Sequence, residues 1–169
     1  MEDAPYKDVS TYVLELLRGQ YGDYFNAYFD GDPEEIGISM LPALCVVAGS
    51  SRIRQGATGQ DRVQQELIIK IILNKMDDFG APETADLTEK KLRNLVLARA
   101  ADGTWDTSAM AYYLRTQLSM NNTVVGNDID IDPVTALRPT DQGRGVPMVT
   151  SELHISILTE QIVNVFARN

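Results

Sequence analysis

Residues 62–75, Arg-Val-Gln-Gln-Glu-Leu-Ile-Ile-Lys-Ile-Ile-Leu-Asn-Lys, decide the reading of the fold. Leu67, Ile69, Ile71 and Leu73 fall on one side of an extended chain, and Ile68 and Ile72 share the other side with Glu66, Lys70 and Asn74. Side chains alternate across a strand with a period of two, so this stretch is a long strand with one face fully buried and the other partly buried.

Working back from it, residues 49–60 hold three glycines and no aromatic or acidic residue, which reads as a long hairpin loop rather than a core element. The apolar run Ala43 to Ala48 before it suits a strand covered on both faces. Asp30-Gly31-Asp32-Pro33 is a turn, because Gly supplies unusual φ values and Pro prevents a preceding helix from continuing. Upstream, Tyr21, Tyr24, Phe25, Tyr28 and Phe29 recur at helical spacing and predict a short helix or helical turn, with core as the leading role for the aromatic stripe and a partner surface as the alternative. Tyr6, Val9, Tyr12, Val13, Leu16 and Leu17 predict an amphipathic helix over residues 5–18, with Gly19 placed as a left-handed C-terminal cap.

Working forward, residues 77–86 have loop composition. Thr88 is placed to cap a helix in which Leu87 staples to Leu92, with Leu95 and Val96 continuing the stripe until about Asp102-Gly103. Met110, Tyr113, Leu114 and Leu118 predict a further helix from about Ser108. The remainder is β in character: Val124, Val125, Ile129 and Ile131, a break at Pro133, a flexible loop over residues 140–147, and a long last strand. In that strand Leu153, Ile155 and Ile157 alternate with His154 and Ser156, but the apolar phase shifts after Leu158, which predicts a bulge or strong bend. The expectation is therefore an α+β fold: a mixed, mostly antiparallel sheet with about three to four helices packed on one side and an extended hairpin loop at 49–62.

The 169 residues fit a single domain spanning 1–169. Hydrophobic residues at 44% and charged residues at 23% are ordinary for a packed globular chain. Twenty-four Asp and Glu against 15 Lys and Arg give a formal charge of -9, which disfavours any partner that must be held by neutralising phosphates over a broad face. Cys45 is the sole cysteine, so no internal disulfide is possible, and its apolar neighbours mark it as a small buried hydrophobe. The opening Met-Glu-Asp-Ala-Pro is acidic, and no apolar run approaches the roughly 20 residues of a membrane span. These features point to a protein made and kept in a reducing cytoplasm, or in an assembly built there, with no membrane partner.

The sequence holds no complete set of catalytic parts. His154 is the only histidine and lies in a predicted strand, with no Gly-x-Ser-x-Gly elbow elsewhere. There is no phosphate-cradling GxxxxGK[ST] loop and no strand-linked GxGxxG. Residues 127–132, Asn-Asp-Ile-Asp-Ile-Asp, invite comparison with a calcium loop, but counting from Asp128 the required glycine falls on Pro133 and the bidentate glutamate on Pro139. A strand with carboxylates on its wet face fits better. No catalytic residue, metal site or cofactor is expected. The positive charge, in contrast, is uneven: Arg52, Arg54 and Arg62 flank the glycine-rich loop, with no acid between residues 36 and 60. Such an arm pairs with an acidic neighbour or, alternatively, contacts DNA.

The element order, with Tyr28-Phe29-Asp30-Gly31-Asp32-Pro33, Leu41-Pro42-Ala43-Leu44, Thr58-Gly59-Gln60-Asp61, Leu92-Arg93-Asn94-Leu95-Val96, Tyr113-Leu114-Arg115 and the closing Thr150-Ser151-Glu152-Leu153-His154-Ile155, is similar to small tail terminator and tail completion (head-tail joining) proteins of long-tailed double-stranded DNA bacteriophages. The resemblance implies a mixed sheet with helices on one side and a homo-oligomeric ring, usually hexameric, that caps the tail tube and joins it to the neck. It implies as partners other copies of the chain, the tail tube protein and the connector or neck proteins. Genomic DNA would pass through the lumen without specific binding, and the protein would reside in the virion after assembly in the host cytoplasm. By the same likeness Arg52, Arg54, Gln55, Asp61 and Arg62 stand at an inter-subunit or tube-facing position, and no catalytic residue is carried over. Another head-tail connector or neck protein is the nearest alternative. A small adaptor docking through residues 21–29 and an unrecognised carboxylate-based enzyme are alternatives of other classes.

Overall fold

The computed structural model describes residues 9–55, 60–120, 129–139 and 148–162, with side chains described for all of these except 60, 119, 120, 129–139 and 159–162. Five strands, β1 (Ala27–Asp30), β2 (Ala43–Gln55), β3 (Gln60–Asn74), β4 (Ile129–Pro139) and β5 (Met148–Ile162), form one sheet in the order β1-β2-β3-β5-β4. Only the β1/β2 pairing is parallel; the other three are antiparallel. Three α-helices, α1 (Val9–Tyr21), α2 (Thr88–Val96) and α3 (Met110–Met120), cover one face. This is the expected α+β arrangement, and the quoted stretch is its central strand.

The core follows from the pattern. Leu67, Ile69, Ile71 and Leu73 of β3 meet Leu44 and Val46 of β2 and Leu153, Ile155 and Ile157 of β5 beneath Val13 and Leu17 of α1, Leu92 and Val96 of α2, and Leu114 and Leu118 of α3. Among the described residues, the opposite face is covered at one end. There residues 31–42 fold back over the sheet, so that Ile36 and Leu41 cover Cys45, Ile72 and Met148 in a second, smaller core flanked by Phe29. Gly31, with φ of 117°, makes the turn, and an ion pair from Lys70 to Asp32 ties it to β3.

Several boundaries differ from the sequence reading. The helix runs through Gly19 to Tyr21, and the chain leaves it at Gly22, where a Cβ would stand 2.9 Å from the Arg18 carbonyl oxygen. The aromatic segment is not helical beyond that point: Tyr28 and Phe29 belong to β1, because parallel pairing with Leu44 and Cys45 overrides a helical period interrupted at Gly22 and Asn26. Thr88 is the first residue of α2 and does not cap it; Asp78 does, its Oδ1 accepting from both the Thr88 N–H and the Thr88 hydroxyl at 2.7 Å. The helix ends at Val96, not near Asp102, since Leu97 is extended and the chain closes a small loop with an Arg99–Trp105 bridge. β4 runs through Pro133, which sits opposite Leu153, because an edge strand tolerates a residue without an N–H. Its register slips later, between Val134 and Arg138. No bulge follows Leu158 on the β3/β5 ladder, whose pairing is unbroken from Asn74–Met148 to Gln60–Ile162. Residues 5–8, the loop expected at 140–147, and Val124, Val125 and Asp128 lie outside the described residues.

Candidate functional site

The segment expected as a loop is mostly strand. β2 continues to Gln55 and β3 begins at Gln60, so only residues 56–59 fall outside the two strands. β5 accompanies β3 to the Gln60–Ile162 pair, so β2, β3 and β5 run together along the projecting arm. From Ala48 to Gln55 every residue of β2 is exposed. The chain forms a strand here despite its polar composition because the β2/β3 ladder continues to Gln55–Asp61 and pairs one edge of its backbone.

A β-bulge separates the arm from the body. Ala48 pairs with Leu67 and Ser51 with Gln65, so Gly49 and Ser50 together oppose Glu66. A Cβ on Gly49 would lie 3.0 Å from the Glu66 carbonyl oxygen, and Ser50 Oγ donates to Glu66 Oε2 at 2.6 Å. The extra residue reverses the alternation. Leu44 and Val46 face the helices before the bulge, and Ile53, paired with Val63, takes that side after it. Arg52 and Arg54 are thereby placed on the open side. A switch of apolar parity between Val46 and Ile53 was the signal in the sequence.

Arg52, Arg54 and Arg62 converge with Gln64 and Leu158 on one shallow depression. Arg54 and Arg62 are direct cross-strand partners, an arrangement in which like charges oppose pairing. Gln55 is exposed opposite the half-buried Asp61, so the five residues expected at the arm do lie together. Among the described residues no carboxylate forms an ion pair with Arg52 or Arg54.

The opposite end of β3 carries a groove that the sequence reading missed. Tyr24, Leu41, Pro42, Leu73, Asp77 and Thr88 line it together with Lys91. Tyr24 stands exposed at the groove, and Met40, Met76 and Leu87, each next in sequence to a lining residue, are exposed as well, as is Phe79 two residues past Asp77. The hydrogen bonds between Asp78 and Thr88 hold the chain segments that carry Phe79 and Leu87 side by side. Burial alone would raise the Asp78 carboxyl, but those two bonds, with Lys75 and Lys91 nearby, hold it below the usual carboxylate range.

The aromatic stripe divides between environments. Phe25 is buried, with Tyr21, Tyr24 and Tyr28 around it edge-on at 4.9–6.4 Å between ring centres. Phe29 lies on the other face of the sheet, in the smaller core.

On the open face, His154 Nε2 is 3.1 Å from Glu152 Oε2, and Ser156 Oγ accepts from Gln64 Nε2 at 2.9 Å. Ser156 is thus engaged away from the imidazole, and no nucleophile–base pair forms there. Register places Asp132 opposite His154, in the strand expected from the Asp-Ile alternation. Among the described residues no three His, Cys, Asp or Glu side chains are grouped to hold a metal ion, and no helix is long and apolar enough to cross a membrane.

No known family model and no curated protein matches the chain.

Proposed function

We propose that the protein is a non-catalytic structural subunit of a phage virion, forming a homo-hexameric ring that caps the tail tube and joins it to the neck. The observation that carries this reading is the arm. The ribbon continues past the helix-covered body and leaves Arg52, Ile53 and Arg54 exposed, outside the core. Burial against another subunit gives those side chains a function, with the arginines paired to carboxylates. The acidic total charge fits the same reading, because a channel of like sign lets DNA pass without adhesion.

Ring closure requires an interface whose two halves differ, so that rotation brings the last copy back to the first. A projecting arm at one end and an apolar groove at the other meet that requirement. Light scattering on the purified protein should show a hexamer, or a monomer that becomes hexameric when tail tubes are added. A monomer that ignores both its own copies and tail tubes would refute the reading.

A further inference from the structure

We infer that the arm of one copy docks on the groove lined by Tyr24, Leu73 and Asp77 of a second copy. This rests on the ring reading and names the surfaces that would close it. Three observations carry it.

The first is charge. The chain has no acid from residue 37 to 59, where the arm carries Arg52 and Arg54. Residues 76–89 hold five carboxylates, Asp77, Asp78, Glu83, Asp86 and Glu89, and no base. Lys91 also lines the groove, with Asp78 close to it, and Asp86 is paired with Lys90, so Asp77 is the lining carboxylate and Glu83 adds to the acidic segment beside it.

The second is apolar exposure. Eight large hydrophobic side chains stand exposed among the described residues; Tyr24 lines the groove, Met40, Met76 and Leu87 adjoin residues that do, and Phe79 lies two residues past Asp77. Another, Ile53 at 69% exposure, sits on the arm between the two arginines. Such clustering marks a surface that another protein covers. A strand inserted edgewise presents both of its faces, so that Ile53 meets the aromatic and aliphatic rim while Arg52 and Arg54 meet carboxylates.

The third is distance. Ile53 pairs with Val63, and Phe79 follows Asn74, at the other end of the same strand. At about 3.3 Å per residue the two ends lie roughly 35 Å apart, so an arm cannot reach its own groove. The contact is necessarily between copies, and because its halves lie at opposite ends it is heterologous.

The test uses the full chain. Arg52→Glu with Arg54→Glu, and separately Asp77→Lys with Glu83→Lys, should each weaken self-association by about tenfold or more. The chain carrying all four changes should recover assembly, because the charges are then exchanged in every interface; circular dichroism confirms that each variant is folded. In parallel, Ile53→Cys and Phe79→Cys variants mixed under oxidising conditions should give a disulfide-linked dimer that neither variant gives alone. Rings that form with no such crosslink, and with charge variants assembling as well as the parent, would overturn the groove assignment and leave the ring reading standing. Tight, salt-dependent binding of duplex DNA that is lost on reversing Arg52 and Arg54, with assembly intact, would assign the arm to nucleic acid instead. Absence of any self-association, tubes included, would remove both.

Discussion

Tyr28 holds a hydroxyl that is shielded from solvent and has no hydrogen-bond partner, while the Arg18 guanidinium lies 5.2 Å from its ring centre. Burial raises its ionisation range, so the phenol stays neutral, and an unpaired buried hydroxyl contributes a cost rather than a gain. Tyr28→Phe keeps the ring over which Arg18 sits and removes the orphan. Its midpoint in urea should be unchanged or raised; a loss above about 1 kcal/mol would mean that the hydroxyl has a partner. The Cys45 thiol is a second buried group with a plain consequence. Desolvation, with a smaller push from Asp32, takes it up to about 12. Only the thiolate reacts, so a thiol reagent at pH 8 should leave the folded protein unlabelled and label it fully in denaturant. Labelling of the native chain at the rate of a free thiol would contradict the second core. Cys45 as an inert hydrophobe was legible from its neighbours in the sequence. The orphan at Tyr28 was not, since it depends on which faces of β1 and α1 meet.

The start of α2 is a small device built from distant parts. Asp78 belongs to the one-turn 3-10 helix Lys75–Asp78 and accepts both Thr88 donors across ten residues. Its carboxyl is held low when folded, so the stabilisation it gives is present above the unfolded value near 3.9 and lost as pH falls through the folded value. Asp78→Ala should cost about 1 kcal/mol at pH 7, as for removal of a helix cap. Urea midpoints for the parent and for Asp78→Asn, followed from pH 7 to 3, should converge at the acid end. A difference independent of pH would assign the effect to packing. The same element shows where sequence reasoning stops. The stripes of α1, α2 and α3 and the alternation of β3 were legible because each reports local burial. The true cap of α2, the bulge at Gly49-Ser50 and the passage of β4 through Pro133 depend on a neighbouring segment, which periodicity cannot name. The run from Tyr21 to Phe29 misled for the same reason: the spacing is helical, but an available sheet edge beside β2 takes its second half.

For the molecule as a whole, the arm and the groove were unequally visible. Three arginines beside an acid-free stretch could be read directly. The groove could not, because Tyr24, Leu41, Leu73, Asp77 and Thr88 come from separate parts of the chain and meet only once the sheet is folded. The sheet order has one more consequence. β5 is the last of the described strands in the chain, yet it lies between β3 and β4 and not at a margin. Gln64 and Ser156, bonded across that seam, are 92 residues apart. Until β5 arrives, the central strand β3 has a bare flank on which a stray chain can pair. Closing so distant a seam is slow compared with forming hairpins or helices. Synthesis inside the cell therefore leaves a sticky half-sheet waiting for its keystone, and the yield of native protein depends on how crowded that wait is.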